Sequence, residues 1–185
     1  MAKQRGSWFF EGYETQIKTG KNGKKKRELV YRGEWYGLGM IKAEYTLYKG
    51  VLFWIMLLLT AAFLIINFLP TAGGMTPWVG APCLLSLVPL MFMWIGLVNF
   101  LIAKQEWEIR VFYAGYRRLK RWTMVFFVPM GVTLVAELVY MIRIGPIGVE
   151  ISYFSGVLVS LLCAGAVLLL QRRYPAVVVR RPEVR

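Results

Sequence analysis

The sequence predicts an all-α integral membrane protein: a bundle of four transmembrane helices with a small cytoplasmic β-hairpin at the amino terminus. Three observations predict it. The 185 residues are 57% hydrophobic yet carry a formal charge of +13, a combination rare in a soluble globule. Four apolar runs of 20 to 26 residues occur, over residues 48–69, 78–103, 122–142 and 151–170. At about 1.5 Å per helical residue, each reaches the roughly 30 Å thickness of a bilayer's hydrocarbon. Finally, the cations avoid two of the connections between these runs. Of the 23 Lys and Arg, 11 lie before or at the mouth of the first run, 6 between the second and third, and 5 after the fourth, leaving only Arg143 elsewhere.

Positive residues stay on the cytoplasmic side of a membrane. Both termini are therefore expected inside the plasma (inner) membrane, with the connections near 70–77 and 143–150 outside. The basic balance then follows from topology and from contact with anionic headgroups, and nucleic acid is not an expected partner. Residues 1–46 hold no apolar stretch of the signal-peptide kind, so the first run is expected to serve as an uncleaved anchor.

Residues 1–46 form the first cytoplasmic segment. YETQIKT and RELVYRGEW flank the basic, turn-rich GKNGKK, the pattern of a β-hairpin. Charge pairing favours a register opposing Ile17 to Leu29, Glu14 to Arg32 and Lys18 to Glu28, whereas a two-residue Asn22-Gly23 turn favours a slip of one. Trp35 and Tyr36 are expected to anchor this segment at the membrane surface or to receive a partner.

Residues 47–103 form the first transmembrane hairpin. Pro82 and Pro89 in its second helix remove amide donors and predict kinks. Residues 104–121 read as an amphipathic cytoplasmic helix lying in the interface, with Arg117, Arg118, Lys120 and Arg121 on its basic rim. Residues 122–170 form the second hairpin, and in the basic tail 171–185 the stretch YPAVVVRRPEVR is expected to give one short strand that lengthens the amino-terminal hairpin.

Glu137 is the residue under greatest demand. A carboxyl at the centre of a transmembrane helix costs on the order of 2.5–3.5 kcal/mol on insertion scales. The residues expected near it are Thr60 and Asn67 on the first helix, Cys83 on the second, Ser155 on the fourth, and Thr133 and Tyr140 on its own face. Glu150 is read as a charge favouring the start of the fourth helix. Two accounts stand open for Glu137: proton or cation binding during transport, or a hydrogen bond that fastens helices together. Gly156, Ser160 and Ala164 form a small-xxx-small ladder that suits close approach, either to a helix of the same chain or to another protein.

Catalysis finds little material. There is no His and no Asp, which removes Ser-His-Asp machinery, HExxH metal sites and Asp-held metal chemistry. No catalytic residue, metal or cofactor is expected. Cys83 and Cys163 fall at different depths and are not expected to pair. The expected function is that of a non-enzymatic polytopic membrane protein, a subunit or accessory of a larger membrane complex. Two alternatives are a homo-oligomeric ion or small-solute transporter or channel using Glu137, and a lipid-binding or membrane-sensing protein. The expected partners are membrane lipids and either another membrane protein or further copies of this chain.

Overall fold

The computed structural model describes residues 13–19, 25–145 and 148–180. Four of its helices are long and apolar enough to cross a membrane: Lys42–Phe68, Pro77–Ile102, Ile109–Ile144 and Gly148–Arg173. Their apolar side chains face outward along most of their length, as lipid-facing helices require.

Helix α1 (Lys42–Phe68) ends at Leu69, whose extended backbone is what a following Pro70 imposes. The connection then winds one short turn, α2 (Ala72–Met75), capped by Thr71 Oγ1 accepting from Gly74 N at 3.0 Å. The second crossing is divided at Ser86 into α3 (Pro77–Leu85) and α4 (Leu87–Ile102). Both prolines contribute, because Pro89 cannot donate to Leu85 and Pro82 cannot donate to Trp78. Ser86 closes part of the gap, its Oγ donating to Pro82 O at 3.0 Å.

The helix expected over 104–121 does not lie as a separate interfacial element. Residues 103–108 form a non-helical connection, after which α5 (Ile109–Phe112), a π-helical turn (Tyr113–Arg117) and α6 (Arg118–Ile144) run on as one rod into the third crossing. The reason is packing. Gly115 and Gly96 let the rod approach α4 so closely that an added Cβ would meet Phe100 N at 3.1 Å and Leu119 N at 2.8 Å respectively. Helix α6 stops at Gly145, whose φ of 95° favours glycine, and α7 (Gly148–Arg173) is the fourth crossing.

Helices α1 and α7 cross at the predicted small-residue ladder. A Cβ at Gly156 would run into the Ile66 side chain, and Ser160 and Ala164 are fully buried. The ladder therefore serves packing within the chain.

Among the described residues, four strands lie at the end of the bundle that holds the start of α1 and the end of α7. Strands β1 (Tyr13–Thr19) and β2 (Lys25–Tyr31) form a two-stranded antiparallel sheet, and β3 (Trp35–Gly37) pairs antiparallel with β4 (Val177–Arg180). The β1–β2 register opposes Tyr13 to Tyr31 and Ile17 to Arg27, a slide of two residues from the register that charge pairing favours. Such a slide keeps every residue on its face while changing its partner. The Tyr31 ring contacts Tyr13 (4.9 Å) and Trp35 (5.4 Å) in this register. The Asn22-Gly23 turn falls outside the described residues. The carboxyl-terminal strand forms as expected but joins β3, so it closes a second sheet instead of extending the first.

Candidate functional site

Away from the basic segments the chain has two carboxyls, and the fold brings them together. Glu137 on α6 is 0% exposed and Glu150, near the start of α7, is 2% exposed. Gly73 of the α2 turn lies over both. A Cβ there would meet Glu137 Oε2 at 2.7 Å, Glu150 Oε2 at 3.0 Å and the Tyr140 ring at 3.0 Å. Only glycine fits, and its amide donates to Glu150 Oε1 at 3.1 Å. Both oxygens of Glu137 and Oε2 of Glu150 have no other hydrogen-bond partner, and the two carboxyls are in hydrogen-bonding reach of each other.

Two carboxylates so placed repel, and one proton between them turns repulsion into a hydrogen bond. Arg143, on the same helix, is exposed. Tyr153 of α7 reaches the Cys83 thiol and lies in electrostatic range of both carboxyls. Cys83 in turn contacts Asn67 Oδ1 at 3.9 Å. A polar seam thus runs from α1 across α3 and α7 to the carboxyl pair.

The residues expected around Glu137 distribute differently. Tyr140 and Asn67 belong to this seam or its edge. Thr60 does not: it donates to Met56 O and accepts from Trp94 Nε1, both at 2.8 Å, tying α1 to α4. Thr133 is buried and donates to Pro129 O at 3.0 Å. Ser155 is exposed and donates to Ile151 O, away from the pair. Glu150 and Gly73 were the residues to find. The available signal was that Glu137 and Glu150 are the two glutamates with no basic segment around them; their meeting depended on how α2 folds back.

The opposite, basic end is built from aromatic rings. Trp107, 1% exposed, donates from Nε1 to Lys104 O at 2.6 Å and exchanges backbone hydrogen bonds with Tyr36 at 2.7 and 2.8 Å. Its ring stacks near Tyr116 (5.8 Å) and meets Phe100 edge-on (5.5 Å), while Tyr36 stacks on Phe112 at 4.7 Å. Lys49 donates to Leu101 O and Ala103 O at 2.9 and 2.5 Å, capping α4 with a cation where its dipole favours one. Tyr116 donates to the carbonyls of Gln171 and Tyr174, which binds the rod to the end of α7. Tyr13 donates to Glu108, joining β1 to this body; burial, reinforced by that hydrogen bond, pushes its phenol up to about 12.

The predicted basic residues separate. Arg117, Arg118 and Arg121 line a pocket of about 490 Å³ with Phe92, Tyr113 and Trp122. Lys120 lines a smaller one of about 250 Å³ beside Gln171. Trp35 and Tyr36 are half-buried in the strand layer. Among the described residues, no group of three or more His, Cys, Asp or Glu converges on a point that holds a metal. Compared with protein families, characterised proteins and solved structures, the chain matches none.

Proposed function

We propose that this chain is a non-enzymatic multi-pass protein of the plasma (inner) membrane, both termini cytoplasmic, acting as a subunit or accessory of a larger membrane complex. The observation that carries this reading is the built platform at the basic end. Four separate segments, β1–β3, the 103–108 connection, the α5 rod and β4, are held there by aromatic stacking and backbone pairing. Among the described residues the platform ends in two two-stranded sheets, one of them extended by a bridge from Tyr36 to Trp107, and a two-stranded hairpin is marginal alone in water. Strand edges of this kind accept a further strand from a partner. Pairing of β3 with β4 puts the segments leading into α1 and out of α7 on one side of the bundle, which supports the common cytoplasmic placement.

The test is purification of the full chain from native membranes in mild detergent, beside a variant lacking residues 13–31. A different polypeptide is expected at stoichiometric amount with the full chain and absent with the deletion. A lone homogeneous oligomer in both preparations would sink the reading.

A second reading has one specific observation in its favour: three of the four carboxyl oxygens of Glu137 and Glu150 are left without protein donors inside the bundle. Buried ionisable groups in membrane helices mark proton and ion pathways. In this reading copies of the chain assemble and the pair takes up and releases a proton or cation. Glu137→Gln in proteoliposomes is then expected to abolish flux; robust flux in the variant removes Glu137 from the path.

A further inference from the structure

Two hollows of different chemistry lie between the second and third crossings. At the basic end Arg117, Arg118 and Arg121 surround the 490 Å³ pocket, and none of the three has a carboxylate partner among the described residues. Arg117 stacks over the Tyr113 ring at 4.5 Å, which fixes its guanidinium, and Phe92 stacks on Trp122 at 4.3 Å to form the pocket wall nearest the apolar region. Farther along the same rod a second, separate hollow of about 740 Å³ lies between Trp78 and the α6 face that runs from Val128 through Val132 and Val135 to Val139. No protein atom lies within 4 Å of where a Gly131 Cβ would be, so this hollow is open there.

Both hollows lie on one stripe of one rod. Arg117, Arg121, Val125, Val128, Val132 and Val135 recur at steps of three and four, the spacing of a single helical face, and all five residues from Arg121 onward are exposed. From Arg121 to Val132 the rise is about 16 Å, close to half of the roughly 30 Å hydrocarbon core. A cationic head with an apolar track one leaflet deep has the dimensions of a phospholipid. Three guanidiniums in a fork geometry suit phosphate oxygens, and basic pockets between transmembrane helices favour anionic headgroups.

We propose that these two hollows, joined by the exposed stripe of the rod, form a binding site for one anionic phospholipid, its phosphate held by Arg117, Arg118 and Arg121 and an acyl chain lying along Val125–Val135. The three arginines set the preference for a net negative headgroup. Trp122 and Phe92 mark the level at which headgroup gives way to chain, where aromatic rings favour the interface.

The experiment measures lipid retained by the full-length protein taken from vesicles of mixed phosphatidylglycerol and phosphatidylcholine, by native mass spectrometry. Phosphatidylglycerol is expected to be enriched on the wild-type chain. A cation near an anionic surface contributes roughly fivefold, so Arg117→Gln with Arg121→Gln is expected to lower enrichment by about tenfold or more. Arg172→Gln with Arg173→Gln removes equal charge from the same end and is expected to leave it nearly unchanged. Val132→Trp, at an exposed position with all cations kept, is expected to lower retention of both lipids by filling the track. Inorganic phosphate is expected not to displace the lipid. Equal loss in the two arginine doubles would reduce the site to a general surface field. Undiminished retention in Val132→Trp, displacement by inorganic phosphate, or a polypeptide cross-linked in place of lipid at position 132 would each overturn it. The hairpin deletion leaves this measurement untouched, so failure of the partner reading and failure of the lipid site are told apart.

Discussion

The two ends of the bundle solve the burial of polar groups in opposite ways. At the basic end donors meet backbone carbonyls: Lys49 caps α4, Tyr45 Oη donates to Lys104 O at 2.8 Å, and Tyr116 bridges to α7, leaving Tyr48 Oη and Gln171 Oε1 as the exceptions. At the acidic end one backbone amide, that of Gly73, donates to Glu150 Oε1, and the other three carboxyl oxygens of the pair are unmatched. Saturated hydrogen bonding makes a rigid, specified structure, whereas an incompletely matched buried pair leaves room for a proton and for change. The first arrangement suits a platform and the second suits a site that responds.

The largest break in this contrast comes from the basic end. Trp107→Ala removes a fully buried ring and both of its indole hydrogen bonds, and is expected to cost about 3–5 kcal/mol, read as a lower unfolding midpoint in detergent. If the ends are independent, thiol labelling of a cysteine introduced at Met75 stays at the wild-type rate; faster labelling would show that the ends are coupled. Next comes Gly73→Leu, which drives a side chain into the space of Glu137, Glu150 and Tyr140. Overpacking of this kind costs about 1–3 kcal/mol, and here it should lift α2 and speed labelling at position 75 with the basic end intact.

Lys49→Met keeps the aliphatic stem and removes the cap on α4. A loss of about 1 kcal/mol is expected, with faster amide hydrogen exchange confined to the last turn of that helix. The smallest effect concerns pH. The Tyr13 phenol sits at about 12 instead of 10.0 because it is buried and donates to Glu108. Its raised value means that the clasp is fully present below pH 10 and is lost as pH rises through about 12. Protease protection of the hairpin should fall over that window, and Tyr13→Phe should flatten the profile.

How much could be read beforehand differs by element. Length and hydropathy specify the four crossings because a bilayer demands them locally, residue by residue. The π-turn and the merging of the 104–121 helix into the third crossing were not readable. Arg117 and Arg121 share a helical face whether the segment lies flat or stands upright, and only the close approach permitted by Gly96 and Gly115 decides. Register in the hairpin failed for a related reason: a slide of two leaves face and pattern unchanged, so aromatic contacts with Trp35 chose between patterns that charge pairing ranked otherwise.

By itself, then, the sequence determined the number of long apolar helices, the sharing of cations among segments, the break that prolines force on the second crossing, and the stress placed on Glu137. Only the tertiary structure decided which groups surround that carboxyl. It set Glu150 and the amide of Gly73 beside Glu137 in place of Thr60 or Ser155, and turned the Gly156 ladder onto Ile66 of the same chain. Hydropathy is a sum over neighbours along the chain, whereas partners depend on the rotation and depth of each helix against the others, which packing volume fixes and no local pattern records.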